Sequence, residues 1–238
     1  MKVPADFPVE STPMTRKGFF LSVEGIEGSG KTTQVKMLAQ AIRSSGQNVV
    51  LTKEPGGTPL ADRIRAIVLD PQEEGMDSLT ELLLYAASRR QHVVEVIRPS
   101  LEAGAIVLTD RFADATLAYQ GFGRLLDLDR LRQLNEWATD GRYPDLTLLF
   151  DLPESVGLER ARSRNLASAH LQNEGRLEGE DLRFHRRVRE GYLALARAEP
   201  DRFVVIDANG TANEVYARTM AEIEQRDPRL KLSTASRT

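Results

Sequence analysis

The chain has no cysteine among its 238 residues. Disulfide bonds, thiol catalysis and thiolate-bound metal centres are therefore excluded. It also has no apolar run near the ~18 residues that a membrane-spanning helix needs. The formal net charge is only −3, so no overall positive charge points to nucleic-acid binding. The remaining composition is that of an ordinary globular protein, long enough for one domain with a sizeable core.

The two ends of the chain differ from the rest. Residues 1–17 are polar, contain three prolines and show no apolar periodicity, so we expect a flexible tail and not a signal peptide. Residues 229–238 are expected to form a second flexible tail. One domain over residues 18–226 remains, and a cytoplasmic protein that binds neither membrane nor nucleic acid is the default expectation.

A glycine-rich segment follows the first apolar stretch of this domain. Phe19–Glu24 is typical of a short strand, and a helical pattern starts near Gly30. The spacing between them is glycine, four residues, then Gly30-Lys31-Thr32, which is the signature of a phosphate-binding loop. The lysine can reach the outer phosphates and the threonine hydroxyl can bind Mg²⁺. The residues expected to bind a nucleoside triphosphate are Gly25, Ile26, Glu27, Gly28, Ser29, Gly30, Lys31, Thr32 and Thr33. An ordinary glycine-rich turn is the alternative, and the strand-then-helix context argues against it.

Strands alternate with helices along the domain. Short apolar runs at 48–52, 105–109, 146–150 and 203–206 predict four further strands. Short, continuously apolar strands are typical of a parallel sheet that is covered by helices on both faces. Because ligands bind such sheets at the carboxyl ends of the strands, the polar residues that follow each strand are the candidate site residues.

Three charged residues occupy positions of this kind. Glu27 lies inside the phosphate-binding loop, where it would repel phosphates. It is either a solvated carboxylate or an acceptor for a sugar hydroxyl. Asp110 ends the strand 105–109 where an acid could hold Mg²⁺, directly or through water, and Arg111 can bind two phosphate oxygens. A structural ion pair between Asp110 and Arg111 is the alternative.

A turn and a helix start follow the second strand. Turn chemistry explains the proline and the glycines of Glu54-Pro55-Gly56-Gly57-Thr58, but it leaves Glu54 without a role. Farther along, Asp77 or Ser78 can cap a long helix, with Glu81 as the capping-box partner of Ser78.

Tyr85 and Arg89 lie four residues apart on that helix and share a face. An aromatic ring and a guanidinium on one face can stack on a base and bond its edge. Helix packing alone favours the alternative, in which Tyr85 is a core residue and Arg89 pairs with Glu81 or Glu95.

An arginine-rich segment lies late in the chain. A helix that starts near Glu154 becomes basic, and residues 165–180 lose apolar periodicity, which predicts a mobile loop. The arginines concerned are Arg160, Arg162, Arg164 and Arg176. Phosphoryl transfer needs cations around the moving group, and a mobile basic segment could supply them while excluding water. A solvated helix face with surface ion pairs is the alternative.

Four linked motifs, in this order, resemble the thymidylate kinase family over about residues 18 to 225. They are Glu24-Gly25-Ile26-Glu27-Gly28-Ser29-Gly30-Lys31-Thr32-Thr33, Glu54-Pro55-Gly56-Gly57-Thr58, Tyr85-Ala86-Ala87-Ser88-Arg89-Arg90-Gln91-His92, and Asp110-Arg111-Phe112 with Ala118-Tyr119-Gln120-Gly121. The resemblance implies an α/β P-loop nucleoside monophosphate kinase fold, with a five-stranded parallel sheet in the order 2-3-1-4-5 and a mobile lid at about 160–181. It also implies a homodimer that transfers the γ-phosphoryl of ATP to dTMP with Mg²⁺, in the synthesis of dTTP.

The resemblance also implies roles for single residues. Glu27 resembles the acid that contacts the deoxyribose 3′-hydroxyl, Tyr85 the aromatic that stacks on thymine, and Arg89 the arginine that bonds the base edge. The other implied dTMP-binding residues are Glu54, Pro55, Arg111, Ala118, Tyr119 and Gln120. The implied metal site comprises Thr32, Asp110 and Glu54, and the adenine-side loop Asp207 and Ala208. The implied catalytic residues are Lys31, Arg111, Arg160, Arg164 and Arg176, with the catalytic arginine in the lid as in the bacterial subgroup.

The sequence departs from the family pattern at two places. Lys53 stands where many members have arginine, which keeps the charge but loses bidentate geometry. The segment between Arg164 and Arg176 is longer than in many bacterial members. Two other functions stay open: a kinase of the same fold for another base, and a nucleotide-dependent switch or ATPase that controls a protein partner. Against the switch, no Asn-Lys-x-Asp base-specificity motif is present.

Overall fold

The computed structural model describes residues 18–73, 75–166, 176–226 and 230, and for residues 164–166 it describes the backbone only. The predicted tail at 1–17 lies outside the described residues, as does nearly all of the tail at 229–238. Residues 167–175, within the segment predicted to be mobile, also lie outside them.

Five strands form one parallel sheet in the order β2-β3-β1-β4-β5, which confirms the predicted class and strand order. The strands are β1 (Phe19–Glu24), β2 (Val49–Lys53), β3 (Ile106–Asp110), β4 (Leu146–Asp151) and β5 (Phe203–Asp207). Leu21 of the central strand pairs with Leu108 on one side and Leu146 on the other. Every residue of β1 is buried, as expected for a strand that is covered on both faces.

Helices fill the connections and cover both faces of the sheet. They are α1 (Lys31–Ser44), α2 (Pro59–Leu69), α3 (Ser78–His92), α4 (Arg98–Glu102), α5 (Ala113–Thr116), α6 (Leu128–Thr139), α7 (Glu154–Leu166), α8 (Leu182–Ala198) and α9 (Ala212–Arg226). π-Helical turns occupy Val93–Ile97 and Leu117–Gly123, and short 3₁₀ turns occupy Pro71–Glu73 and Leu177–Gly179. In the described ranges, none of the helices combines the length and the apolar character needed to cross a bilayer.

Two apolar clusters hold these layers together. One packs α1 and α9 on one face of the sheet and includes Leu38, Ile42 and Ile223, all fully buried. The other lies on the opposite face and includes Leu149 of β4 and Tyr192 of α8. Because both faces are closed by helices, the carboxyl edge of the sheet is the place where loops can form a site.

The start of α3 confirms one of the two predicted caps. Asp77 is the cap, and its side chain accepts from the backbone N–H groups of Leu79 and Thr80. The capping box built on Ser78 is therefore wrong. The Glu81 side chain is fully buried and bonds distant side chains instead, because Asp77 already satisfies the first free N–H groups of the helix.

Candidate active site

One cavity of about 570 Å³ lies at the carboxyl edge of the sheet. It brings together most of the predicted site residues: Glu27, Gly28, Gly30, Lys31, Thr32, Thr33, Glu54, Pro55, Tyr85, Arg89, Asp110, Arg111, Tyr119, Gln120 and Arg160. Asp207 and Ala208, at the end of β5, do not line it, and Ala118 is fully buried. The phosphate-binding loop and helix α3 therefore open into a common space.

The phosphate-binding loop sits between β1 and α1. Gly28 has a φ of 71°, and a Cβ there would collide with the backbone carbonyl of Gly157 in α7, so glycine is required. The loop thus packs closely on the helix that carries Arg160. The Lys31 ammonium is buried and donates to the Ile26 carbonyl at 2.6 Å and to Ser29 Oγ at 3.3 Å.

Burial and the nearby Arg111 guanidinium lower the pKa of Lys31 to about 8, although Asp110 and Glu27 counteract part of the shift. A phosphate in the loop would favour the charged ammonium. The lysine is therefore held in an environment that an anionic ligand would complete.

Asp110 and Thr32 form the base of the cavity beside this lysine. Thr32 Oγ1 donates to Asp110 Oδ2 at 2.9 Å. Asp110 Oδ1 is buried and has no hydrogen-bond partner among the described residues. An unpartnered carboxylate oxygen next to a hydroxyl fits Mg²⁺, which prefers oxygen ligands and usually takes the rest from phosphates and water. The described residues contain no group of three or more acidic or histidine ligands that could hold a metal by itself.

Glu54 is committed to other partners. Its Oε2 accepts from Arg89 Nε at 2.8 Å and its Oε1 lies 2.9 Å from His92 Nδ1. Both oxygens have a partner, the residue is 4% exposed, and it lines the cavity. These bonds explain the carboxylate that turn chemistry left without a role, because Glu54 holds Arg89 in place. Its role as a metal ligand stays a prediction.

Arg89 is fixed from four directions. Beyond Glu54, its guanidinium donates to Thr116 Oγ1, Asn135 Oδ1 and the Phe112 carbonyl at 2.8, 2.8 and 3.2 Å. It pairs with neither Glu81 nor Glu95, so that part of the predicted alternative is wrong, whereas the other part is confirmed because Tyr85 is buried in a core cluster. Four of its five N–H donors are used within the protein, and Arg89 lines the cavity. One donor on Nη2 is left for a ligand.

Glu27, Arg111 and Tyr119 form a second fixed group that lines the cavity. Arg111 Nη2 donates to Glu27 Oε1 at 2.8 Å and to Tyr119 Oη at 3.0 Å, and the Tyr119 hydroxyl donates to Glu27. Glu27 is 8% exposed, so the solvated-carboxylate alternative is wrong. Arg111 pairs with Glu27 rather than with Asp110, and its Nε and Nη1 form no hydrogen bond within the described residues.

Burial raises the pKa of the Glu27 carboxyl, but Arg111, a bond from His185 and Lys31 together hold it well below the ordinary value. The carboxylate is therefore ionised at every physiological pH. An ionised carboxylate can only accept hydrogen bonds, which suits a sugar hydroxyl.

The lid arginines do not behave alike. Arg160 lines the cavity and Arg162 is exposed, while the Arg164 side chain lies outside the described residues. Arg176 is buried, with Nε donating to the Val68 carbonyl at 2.7 Å and Nη2 to Glu81 Oε2 at 2.6 Å. The structure therefore does not bring Arg176 to the phosphate end of the cavity, because buried Glu81 neutralises it elsewhere.

Arg65 of α2 lines the cavity but was absent from the predicted site. It donates from Nη1 to the Pro55 carbonyl at 3.0 Å. A signal was available in the sequence: Ala61, Arg65 and Val68 are spaced i, i+4, i+7, so Arg65 interrupts the inward-facing stripe of α2. A cation on such a stripe is typical of a binding site. Glu178, within the predicted lid, also lines the cavity.

The family model for thymidylate kinase matches residues 23–218. The thymidylate kinase of Syntrophotalea carbinolica is 59% identical over 84% of this chain and 92% of that protein. The chain belongs to the thymidylate kinase family. The Geobacter sulfurreducens thymidylate kinase is 55% identical over 87% of this chain and 96% of that protein.

A solved structure supports the same assignment. The crystal structure of thymidylate kinase from Ehrlichia chaffeensis superposes with a TM-score of 0.69 at 36% identity, covering 87% of this chain and 98% of that one. The resemblance inferred from four motifs is confirmed, and with it the P-loop nucleoside monophosphate kinase fold. Members of this family are phosphotransferases, and so is this chain.

Proposed function

We propose that the chain transfers the γ-phosphoryl group of ATP to dTMP, giving ADP and dTDP, in the cytoplasm and as a step towards dTTP. Its relatives carry the name thymidylate kinase. The observation that carries the proposal is the common cavity, which is lined both by Lys31 and Thr32 of the phosphate-binding loop and by Tyr85, Arg89 and Gln120. A hydrolytic switch needs no second pocket of this kind.

On the donor side, the backbone of Gly25–Thr33 surrounds the ATP phosphates and Lys31 neutralises the outer ones. Thr32 and Asp110 would hold Mg²⁺, since Asp110 Oδ1 is buried and unpartnered among the described residues. Bound Mg²⁺ supplies charge neutralisation at the β- and γ-phosphate oxygens. Asp207 and Ala208 remain the proposed adenine-side residues.

On the acceptor side, thymine stacks on Tyr85 and Arg89 offers its remaining N–H to the base edge, with Gln120 beside it. Glu27 and Tyr119 face the deoxyribose. Arg111 holds the acceptor phosphate. Arg65 and Pro55 line the same cavity.

Catalysis in this arrangement consists of positioning and neutralising. The transition state of phosphoryl transfer is loose and spreads charge over the equatorial oxygens. Lys31 approaches the phosphates from the loop, Arg111 from the end of β3 and Arg160 from α7, so cations meet the moving group from three elements. We propose that the lid at about 160–181 closes over both substrates and excludes water, with Arg164 as a further candidate cation.

A coupled assay of ADP release with each nucleoside monophosphate in turn tests the proposal. We expect dTMP to support the highest kcat/KM and expect little ADP release without an acceptor. Faster turnover of dCMP or dGMP would replace the proposal with a kinase for another base. Rapid ADP release that no monophosphate stimulates would favour the ATPase alternative.

We also propose that the enzyme is a homodimer formed by helix packing. Leu79 and Leu83 on α3 and Trp137 on α6 are 54%, 52% and 78% exposed, and exposed apolar side chains of this size favour an interface. Analytical ultracentrifugation should give a dimer mass for the wild type and a monomer mass for Leu83→Glu. A wild-type monomer at micromolar concentration would contradict the proposal.

A further inference from the structure

Gln120 lines the cavity from the π-helical turn Leu117–Gly123 and is 2% exposed. Its side-chain Nε2 donates to Oε1 of Glu81 at 2.8 Å. Glu81 is fully buried in the first turn of α3 and does not itself line the cavity. The buried Glu81 carboxylate thus holds the Gln120 side chain from outside the cavity lining.

Glu81 acts purely as a hydrogen-bond acceptor. Besides Gln120, it accepts from Arg124 Nε and Nη2 at 3.3 and 3.0 Å and from Arg176 Nη2 at 2.6 Å. Burial raises the pKa of Glu81, but the bonds from Arg124, Gln120 and Arg176 lower it below the ordinary value overall. Two guanidinium groups therefore keep this carboxylate ionised and unable to donate.

An acceptor-only neighbour decides which way the Gln120 amide lies. Its nitrogen must face Glu81, since two oxygens placed there would leave both without a proton. The Gln120 Oε1 then lies on the other side of the amide, and none of the described residues donates a hydrogen bond to it. The pocket is thereby given an acceptor and not a donor at this position.

We propose that Glu81 is a specificity-positioning residue, which fixes the Gln120 amide so that its oxygen accepts the ring N3–H of thymine. Cytosine has an acceptor at that ring position, so its lone pair would face the Gln120 oxygen. This inference rests on the proposed function, because it takes thymine as the base in the pocket.

Arg89 strengthens the discrimination. Its remaining N–H is a donor held in place by Glu54, Thr116, Asn135 and Phe112. A fixed donor and a fixed acceptor that line the same cavity match the O4 and N3–H of thymine. Cytosine reverses both, with an amino group at C4 and a lone pair at N3. Sites built to bond one such pattern reject its inverse strongly, because their buried polar groups are left unpaired.

Glu81→Gln in the full chain tests the inference. Nη2 of Arg124 and Nη2 of Arg176 both donate to Oε2, so the oxygen of the introduced amide will stay there. Its NH₂ will take the place of Oε1 and face Gln120, at the cost of the 3.3 Å bond from Arg124 Nε. Gln120 must then turn its own oxygen towards residue 81 and present its NH₂ group to the base. We expect the ratio of kcat/KM for dTMP to that for dCMP to fall at least about tenfold. An unchanged ratio would overturn the inference while leaving the proposed function intact.

Two further variants distinguish orientation of the Gln120 amide by Glu81 from a general stabilising role of Glu81. Arg124→Gln removes another partner of Glu81 but leaves the acceptor for Gln120, so it should lower the melting temperature and keep the ratio within about threefold. In a Gln120→Ala background, Glu81→Gln should no longer change the ratio. A loss of discrimination in Arg124→Gln as large as in Glu81→Gln, or a Glu81 effect that persists without Gln120, would overturn the inference.

A measurement on the wild type covers the case in which Glu81→Gln does not fold. The side-chain NH₂ signals of Gln120, assigned in ¹⁵N–¹H spectra by their loss in Gln120→Ala, should exchange slowly with water both with and without dTMP. Fast exchange in the dTMP complex would show that the amide is not held by Glu81. Failure of the wild type to phosphorylate dTMP would instead contradict the proposed function, before any variant is compared.

Discussion

The two ends of the cavity are built in opposite ways. At the donor end, Asp110 Oδ1 is buried without a partner among the described residues and the pKa of buried Lys31 is lowered to about 8. At the acceptor end, Glu27, Arg111 and Arg89 are already bonded within the protein. In the proposed function, the nucleotide and its metal would complete the donor end, whereas the acceptor end is already organised by bonds within the protein.

This difference has a consequence for variants. Changes at the donor end should cost activity and little stability, since few protein–protein bonds are lost. Changes at the acceptor end should cost both, because they leave buried partners unpaired.

Lys31→Ala should have the largest effect on turnover. We expect kcat to fall by about 10³-fold or more, because the main cation of the loop is lost from the transition state. The melting temperature should stay within about 4 °C, which corresponds to about 1 kcal/mol for a chain of this size. Steady-state kinetics and thermal melts check this, with the exposed Lys36→Ala on the same helix as control. Near wild-type turnover by a folded Lys31→Ala enzyme would refute the site.

Arg111→Ala should lower both the activity and the stability of the enzyme. We expect kcat/KM for dTMP to fall at least about 100-fold and the free energy of unfolding to fall by about 3 kcal/mol, because buried Glu27 loses its paired charge. Urea denaturation measures the second effect. Adding Glu27→Gln should restore most of the stability but none of the activity. Full stability in Arg111→Ala alone would mean that this end is not preorganised by the pair.

Asp110→Asn should mainly weaken the binding of Mg²⁺. The Mg²⁺ concentration for half-maximal rate should rise about tenfold or more, because a charged ligand becomes neutral. Since Asp110 Oδ1 bonds nothing else among the described residues, the melting temperature should hardly change. Rates measured across a Mg²⁺ titration decide this, and an unaltered Mg²⁺ dependence would remove Asp110 from the metal site.

The smallest effect concerns pH. Phosphate binding favours the charged form of Lys31, whose pKa in the free enzyme is about 8. At a pH above 8, ATP binding should therefore be accompanied by uptake of a proton by Lys31. ATP affinity should therefore fall as pH rises through 8, by at most about tenfold per pH unit. dTMP affinity should stay flat there, because the pKa of Glu27 lies far below that range. Calorimetry from pH 7 to 9 in two buffers checks both, and Lys31→Arg should abolish the ATP dependence.

Local patterns in the sequence were sufficient for the strands and the loop, whereas the strand order was predicted from the family resemblance. β1 was predicted to its observed bounds because a central parallel strand is one continuous apolar run between a tail and a glycine turn. The phosphate-binding loop depends on backbone conformation and close packing, which fix the glycine spacing locally.

Local patterns could not predict which charged residues pair when they lie far apart in the sequence. Arg89 finds Glu54, 35 positions away, and Arg176 finds Glu81, 95 positions away. In both cases an acidic residue nearer in the sequence could have been the partner. Burial decided the pairing instead, because an unpaired charge in the protein interior is costly. The motifs therefore located the site, but only the fold shows which charges are left free for substrates.

Binding of a single molecule that contains both substrates tests the account most directly. A compound that joins adenosine and thymidine through five phosphates should bind once per chain in calorimetry, at least about 100-fold more tightly than ATP or dTMP alone. That result is predicted because Lys31 and Arg111 line one continuous cavity. Two molecules bound per chain, or an affinity no better than that of ATP, would contradict it.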